Sequence, residues 1–146
     1  MNARRPFQRI LVTIGRWLPA ILLILIFTPQ GWAKFSAASG WGVAFRHWGY
    51  PAWFRITIGC LELAACVLLL SGRAAAFGAL IIVPVMLGGM ATHLLFDQGR
   101  HMTSEVVPLT LAVVTLVIRR EQLPAIWTAF RSPRTTTGTT ISPTRL

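Results

Sequence analysis

The sequence predicts an all-α integral membrane protein. It reads as a four-helix transmembrane bundle with a short interfacial helix between the first and second transmembrane helices. Three observations predict this. Hydrophobic residues make up 54% of the 146-residue chain and charged residues only 12%, about half the charged share of an average soluble domain. Four apolar segments approach or reach the length of about 20 helical residues that a bilayer core requires. The basic residues gather at the two ends and at one turn instead of spreading along the chain.

A net charge of +10 raises the question of nucleic acid. The middle of the chain is too apolar for a soluble nucleic-acid binder, and basic ends flanking apolar spans are what positive-inside topology produces. The lipid bilayer is therefore the expected partner, and nucleic acid is not.

Residues 1–14 form a basic amino-terminal segment carrying Arg4, Arg5 and Arg9. The first span, about 15–35, has the core GRWLPAILLILIFT and closes on GWAKF. Basic residues before an apolar core also begin export signals, and ARRPFQR resembles a twin-arginine one. No convincing small-x-small cleavage site follows and nothing downstream reads as soluble cargo, so a retained helix is expected.

The loop that follows holds WGVAFRHWGYPAWF, Trp41 to Phe54. Trp41, Ala44, Phe45 and Trp48 fall at i, i+3, i+4 and i+7, which predicts a helix over Ser39 to Trp48 lying flat on the membrane. Ser36 or Ser39 caps it. Trp41, Phe45, Trp48, Tyr50 and Trp53 are the expected interfacial anchors, because aromatic side chains favour headgroup depth. Pro51 suits the first position of the next helix.

The second and third spans, about 51–71 and 74–96, join at a tight turn around Gly72 and form an antiparallel hairpin. The fourth, about 104–120, has an unbroken apolar-plus-Thr core only from Val106 to Ile118. It spans if Glu105, Arg119 and Arg120 snorkel to the surfaces. Residues 121–131 carry Leu123, Ile126, Trp127 and Phe130 on one face, which suits an amphipathic surface helix. Residues 132–146, rich in Ser, Thr, Pro and Arg, are expected to be disordered.

The arginines orient the bundle. Arg4, Arg5, Arg9, Arg16, Arg73, Arg119, Arg120, Arg131, Arg134 and Arg145 fall on one side, and Lys34, Arg46, Arg55 and Arg100 on the other. Both ends are thus expected in the cytoplasm.

Polar groups inside apolar spans mark the candidate site. Glu62 lies near the middle of the second span, where a charge costs most, so it should face the bundle interior and either pair or stay protonated. Arg55, seven residues earlier, shares its helical face, with Gly59 and Cys66 on the same stripe. Pro84 cannot donate to the carbonyl of Leu80, and Gly88 and Gly89 admit a close neighbour. Equal distances from the turn place His93 at the outer mouth, too far for a direct Glu62–His93 pair, and Lys34, at the outer end of the first helix, joins that level. The expected constellation is a pocket opening outwards, with Glu62 deep, Arg55 above it, His93 and Lys34 at the mouth, and Met86, Met90 and aromatics as walls. The aromatic loop is then a lid. Such a pocket suits a quinone headgroup, a small anion or a sulfur compound; a polar clamp that fixes helix register uses the same residues.

Other chemistry is absent from the pattern. Cys60 and Cys66 cannot meet on one helix, and there is no CxxC. His47, Asp97, His101 and Glu105 lack the tight spacing of a metal site, so no metal is expected. No nucleophile–base pattern is present, and no catalytic residue is assigned.

GWAKF, then GYPAWF, then GCLELAACVLLL with its G-x-x-E-L pattern, then a basic turn and a Met- and Gly-rich third helix together resemble the DoxX family of small four-helix bacterial membrane proteins. The resemblance covers about Arg16 to Arg120. It makes residues 15–120 one DoxX-like domain in the bacterial cytoplasmic (inner) membrane, and it matches Lys34 and Glu62 to the family pattern. It implies a membrane subunit or partner of a redox system linked to quinone, thiol or sulfur compounds, since the family takes its name from a subunit associated with thiosulfate:quinone oxidoreductase. A redox-protein partner is one implied association. A non-enzymatic assembly protein is the alternative, and a small-solute transporter, built as a homo-oligomer, a third.

Overall fold

The computed structural model describes residues 4–99 and 102–123. Among them are five helices and no strand: α1 (Arg4–Ala33), α2 (Gly40–His47), α3 (Ala52–Leu70), α4 (Ala75–Phe96) and α5 (Met102–Arg119). The four long helices close into a bundle in which α1 packs on α3, α3 on α4, α4 on α5 and α5 back on α1. Short connections between α3 and α4 and between α4 and α5 make each of those pairs antiparallel neighbours. The short α2 packs against α1 and α3.

Each long helix turns one stripe inwards, set by the 3.6-residue period. Ala20, Leu23 and Phe27 come from α1, Ala65, Cys66 and Leu69 from α3, Ala75, Ala79, Ile82 and Met86 from α4, and Ala112 from α5. Many of these side chains are small, so helices approach closely. Gly31 and Gly59 face each other across α1 and α3: a Cβ on Gly59 would stand 3.0 Å from the Gly31 carbonyl oxygen and 3.1 Å from Lys34 Cβ. Close backbone approach at small residues is how membrane helices gain packing without a hydrophobic drive between them.

The outer surface also carries many large apolar side chains. Leu25 is 66% exposed, Val67 67% and Leu95 76%. Large apolar side chains facing outwards along whole helices are suited to lipid, not water. Among the described residues, three stretches are long and apolar enough to cross a membrane: Thr13–Ala33, Ala52–Leu70 and Ala75–Phe96. The expected fourth span is not among them. Its helix, α5, has 18 residues, but Thr103, Ser104, Glu105, Thr110, Thr115 and Arg119 lower its hydropathy.

Arg119, expected to snorkel outwards, is buried instead. Its guanidinium lies 4.4 Å over the Trp17 ring and donates to the carbonyls of Gly72 and Arg16, at 3.3 Å each. Gln122 completes this end: its amide donates to Gly72 O at 2.7 Å and accepts from the Ala76 N–H at 3.0 Å. The α3–α4 turn and the first turn of α4 leave backbone groups unpaired, and α5 and the residues after it satisfy them.

Other boundaries differ slightly from expectation. Ser39, not Ser36, caps α2, its hydroxyl accepting from the Gly42 N–H at 3.0 Å. Pro51 occupies the N-cap of α3, so the helix begins one residue later than predicted. Helix α4 runs unbroken through Pro84. Cys60 and Cys66 are both free thiols. His101, the amphipathic stretch from Ile126 onward and the expected disordered tail lie outside the described residues.

Candidate functional site

Helix α3 aligns Arg55, Gly59, Glu62, Cys66 and Leu69 on its buried face. The spacing predicts that stripe, but not the partners. Glu62 pairs with Lys34, not with Arg55: Lys34 Nζ stands 2.8 Å from Glu62 Oε2, with both side chains 3% exposed or less. The Gly31–Gly59 contact explains the difference. It draws the end of α1 onto α3, so that Lys34 reaches inwards past the level assigned to it. Its ammonium also lies 4.1 Å from the centre of the Trp41 ring, a cation–π contact that offsets part of its desolvation.

Arg55 serves a different purpose. Its guanidinium donates to the carbonyls of Lys34 and Ser36, at 2.6 Å each. These carbonyls lie just past the end of α1, where helix termini leave acceptors unpaired and attract cations. Arg55 thus ties α1 to α3 and positions Lys34 through its backbone.

A second cluster gathers around His93. Its Nδ1 is 2.7 Å from Asp97 Oδ2, and its Nε2 is 3.7 Å from Glu105 Oε1. The Trp48 indole N–H donates to both Asp97 oxygens at 3.2 Å, and the Trp48 ring meets the His93 ring edge-on at 5.1 Å. Tyr50 OH and Thr92 Oγ1 share a hydrogen bond of 3.1 Å. These contacts fasten the α2 segment to the C-terminal half of α4.

The aromatics placed as membrane anchors therefore divide. Trp53 is 66% exposed, whereas Phe45 and Trp48 are buried at 7% each. Phe45 packs against Trp41, Trp48, Tyr50 and Phe54. The amphipathic face of α2 turns onto its own bundle, because the bundle's open end offers Phe45 and Trp48 an aromatic lining.

Between these clusters lies a cavity of about 580 Å³. Apolar and aromatic side chains from α2, α3, α4 and the α2–α3 connection form its walls, among them Phe45, Tyr50, Phe54, Ile81 and Met86. Lys34, His93 and Glu105 also line it. A smaller cavity of about 320 Å³ adjoins it and shares Gln30, Trp41, Met86 and Glu105. The expected pocket is thus partly redrawn. Lys34 and His93 line it; Glu62, Arg55 and Met90 do not. Glu62 lies behind Lys34, Arg55 is engaged with α1 carbonyls, and the α4 methionine on the lining is Met86. No group of three or more metal-binding side chains gathers among the described residues.

A family model for the DoxX-like family matches residues 18–115. This chain belongs to the DoxX-like family. It is similar to an uncharacterised protein, YwoB, of Bacillus subtilis (strain 168), with 30% identity over 94 residues, or 64% of this chain and 60% of that protein. The DoxX-like chain therefore spans less than two thirds of that relative's length. No solved structure matches it. The matched region contains every side chain of both clusters.

Glu105 and Asp97 are the site residues that sequence reasoning did not place in the pocket. The signal for Glu105 is present in the sequence: Glu105, Pro108, Ala112, Thr115 and Arg119 repeat at steps of three and four, which is the buried face of α5. The signal for Asp97 is weaker. Its i, i+4 relation to His93 requires α4 to run one turn past its apolar core.

Asp97 lies just beyond the apolar part of α4. Hydrogen bonds from His93 and Trp48 hold its carboxyl below the usual aspartate range, which is about 3.9 in model peptides. A carboxyl lowered on folding contributes stability that is present above its unfolded value and lost as pH falls through the lowered one. The contribution of Asp97 to the Tm of the detergent-purified protein should therefore be level from neutral pH down to about pH 4 and fall below it. Asp97→Asn should flatten the part of that acid loss due to this group. An unchanged acid limb in the variant would show that Asp97 is not held by these contacts.

Proposed function

We propose that this protein is a membrane subunit or partner of a redox system, and that its cavity receives a quinone headgroup. In this reading α5 is a fourth span, with Glu105 and Arg119 taken inwards instead of to the surfaces. The chain sits in the bacterial inner membrane with both ends in the cytoplasm, so the cavity opens at the outer face. The exposed Trp32, Val43 and Trp53 meet lipid there.

One observation carries the reading: an apolar, aromatic cavity of about 580 Å³ has Lys34, His93 and Glu105 on its lining. Ligand pockets of 300–1,000 Å³ commonly combine apolar walls with a few convergent polar groups. A flat ring stacks on the aromatic walls, while Lys34 and His93 donate to its carbonyl oxygens. The two free cysteines, one exposed and one buried, form no dithiol pair, so electrons come from a partner.

Decylubiquinone titrated into nanodisc-embedded protein should quench the tryptophan fluorescence, since Trp41 and Trp48 line the cavity. Gly88 also lines it, and a Cβ there meets nothing within 4 Å. Gly88→Leu should therefore weaken quinone binding at least tenfold, with stability changing by no more than about 1 kcal/mol. Equal binding by wild type and variant would remove the quinone site.

A further inference from the structure

The titratable groups at the outer end of the bundle form a graded series. Side-chain exposure falls from His47 at 70% to Asp97 at 17%, Glu105 at 10%, His93 at 7%, Lys34 at 3% and Glu62 at 2%. The first two contacts follow the same direction: His47 Nε2 lies 4.0 Å from Asp97 Oδ1, and Asp97 Oδ2 lies 2.7 Å from His93 Nδ1. Glu105 Oε1 follows at 3.7 Å from His93 Nε2. Lys34 and Glu62, 2.8 Å apart, close the series beside the cavity.

An imidazole with a carboxyl on each ring nitrogen is more than a tether requires. One carboxylate is enough to orient the ring. Here one partner meets solvent and the other lines the cavity. We propose that Asp97, His93 and Glu105 form a proton relay between the outer aqueous face and the cavity.

The steps balance as proton transfers alone. Moving outwards, protonated Glu105 gives its proton from Oε1 to His93 Nε2. The imidazolium gives its Nδ1 proton to Asp97 Oδ2, and Asp97 passes it to water. Inward transfer reverses each step; a proton moving back restores the ring's starting tautomer, and net one-way transfer resets it by rotation of the imidazole. Only O–H and N–H bonds form and break, and no electron moves. The Asp97 step lies within hydrogen-bond distance; the Glu105 step at 3.7 Å requires a small rotation of the carboxyl or one bridging water.

The surroundings fit this role. Glu105 faces His93 from α5, Asp97 from its own helix, and Trp48 from the α2 segment. Lys34 comes from the end of α1, with Glu62 behind it on α3. Arg55 is committed to α1 carbonyls, and His47 stands beyond Asp97. The relay deepens the quinone reading, because quinone reduction consumes protons, yet its chemistry requires no quinone.

A pD jump on the ligand-free, detergent-purified full chain, followed by time-resolved infrared spectroscopy of the carboxyl bands, tests it. Glu105→Gln identifies the band of the cavity carboxyl. In wild type that band should exchange rapidly; in His93→Ala it should slow at least tenfold, and added imidazole should restore the rate. Asp97→Asn, at the helix end and least disruptive to folding, should slow it as well. Exchange at the wild-type rate in folded His93→Ala or in Asp97→Asn would overturn the relay, as would slowing that imidazole does not relieve. Because no quinone is added, this outcome is independent of whether the cavity binds one.

Discussion

Lys34→Ala is expected to destabilise the bundle by about 3–5 kcal/mol, the usual cost of leaving one member of a buried ion pair uncompensated. Glu62 has no water to turn to: its side chain is 2% exposed and Lys34 is its hydrogen-bond partner. Replacing both residues, as in Lys34→Met with Glu62→Met, should return stability to within about 1–2 kcal/mol of wild type, because apolar groups of similar volume often replace a buried pair without loss. Unfolding of wild type, Lys34→Met, Glu62→Met and the double variant in detergent completes a double-mutant cycle. The expected coupling amounts to most of the single-mutant cost. A Lys34→Ala cost below 1 kcal/mol would mean that the pair is hydrated in solution. The cycle also separates the two uses of these residues. If the double variant is stable yet fails to bind quinone, the pair serves the cavity and not only helix register.

Gly78→Leu should be at least as damaging to folding. A Cβ at Gly78 would stand 2.6 Å from the Ala65 carbonyl oxygen and 2.9 Å from Leu69 Cγ. The nearest atom is backbone, which cannot rotate aside, so α3 and α4 must separate. Overpacking typically costs 1–3 kcal/mol and sometimes more; here about 3 kcal/mol or greater is expected, with Gly78→Ala already costly. Gly88→Ala is the control. It meets open space and should be neutral or stabilising by about 0.5–1 kcal/mol, since alanine favours helix. If Gly78→Ala proved as mild as Gly88→Ala, the close α3–α4 contact would not exist in solution.

Much of this architecture is legible without coordinates because it depends on periodicity and solvent preference. The α3 stripe through Arg55, Gly59 and Glu62 follows from seven-residue spacing, and α2 from the spacing of Trp41, Phe45 and Trp48. The turn at Gly72 follows from the break between two apolar runs. Helix α5 shows the limit of the method. Its polar residues read as a weak span with charged ends, whereas Glu105 and Arg119 lie on its inner face and help hold the bundle together.

The site was less legible, for a geometric reason. Helical spacing aligns residues on one helix but does not set how far a second helix slides along it. Arg55 and Glu62 share a face, which suggested a pair; the Gly31–Gly59 contact brought Lys34 to Glu62 and left Arg55 to the carbonyls at the end of α1. The aromatic loop shows the same limit, because an amphipathic stripe does not reveal whether lipid or the protein's own open end receives it.

By itself the sequence determined that this chain is helical, apolar on its outer faces and suited to a membrane, since those properties arise from composition and from each helix's own period. Only the tertiary structure decided which buried charges meet, which aromatics face the cavity and where Glu105 and Asp97 stand. Those depend on the offset and rotation between helices, and a few close glycine contacts and interhelical hydrogen bonds set them.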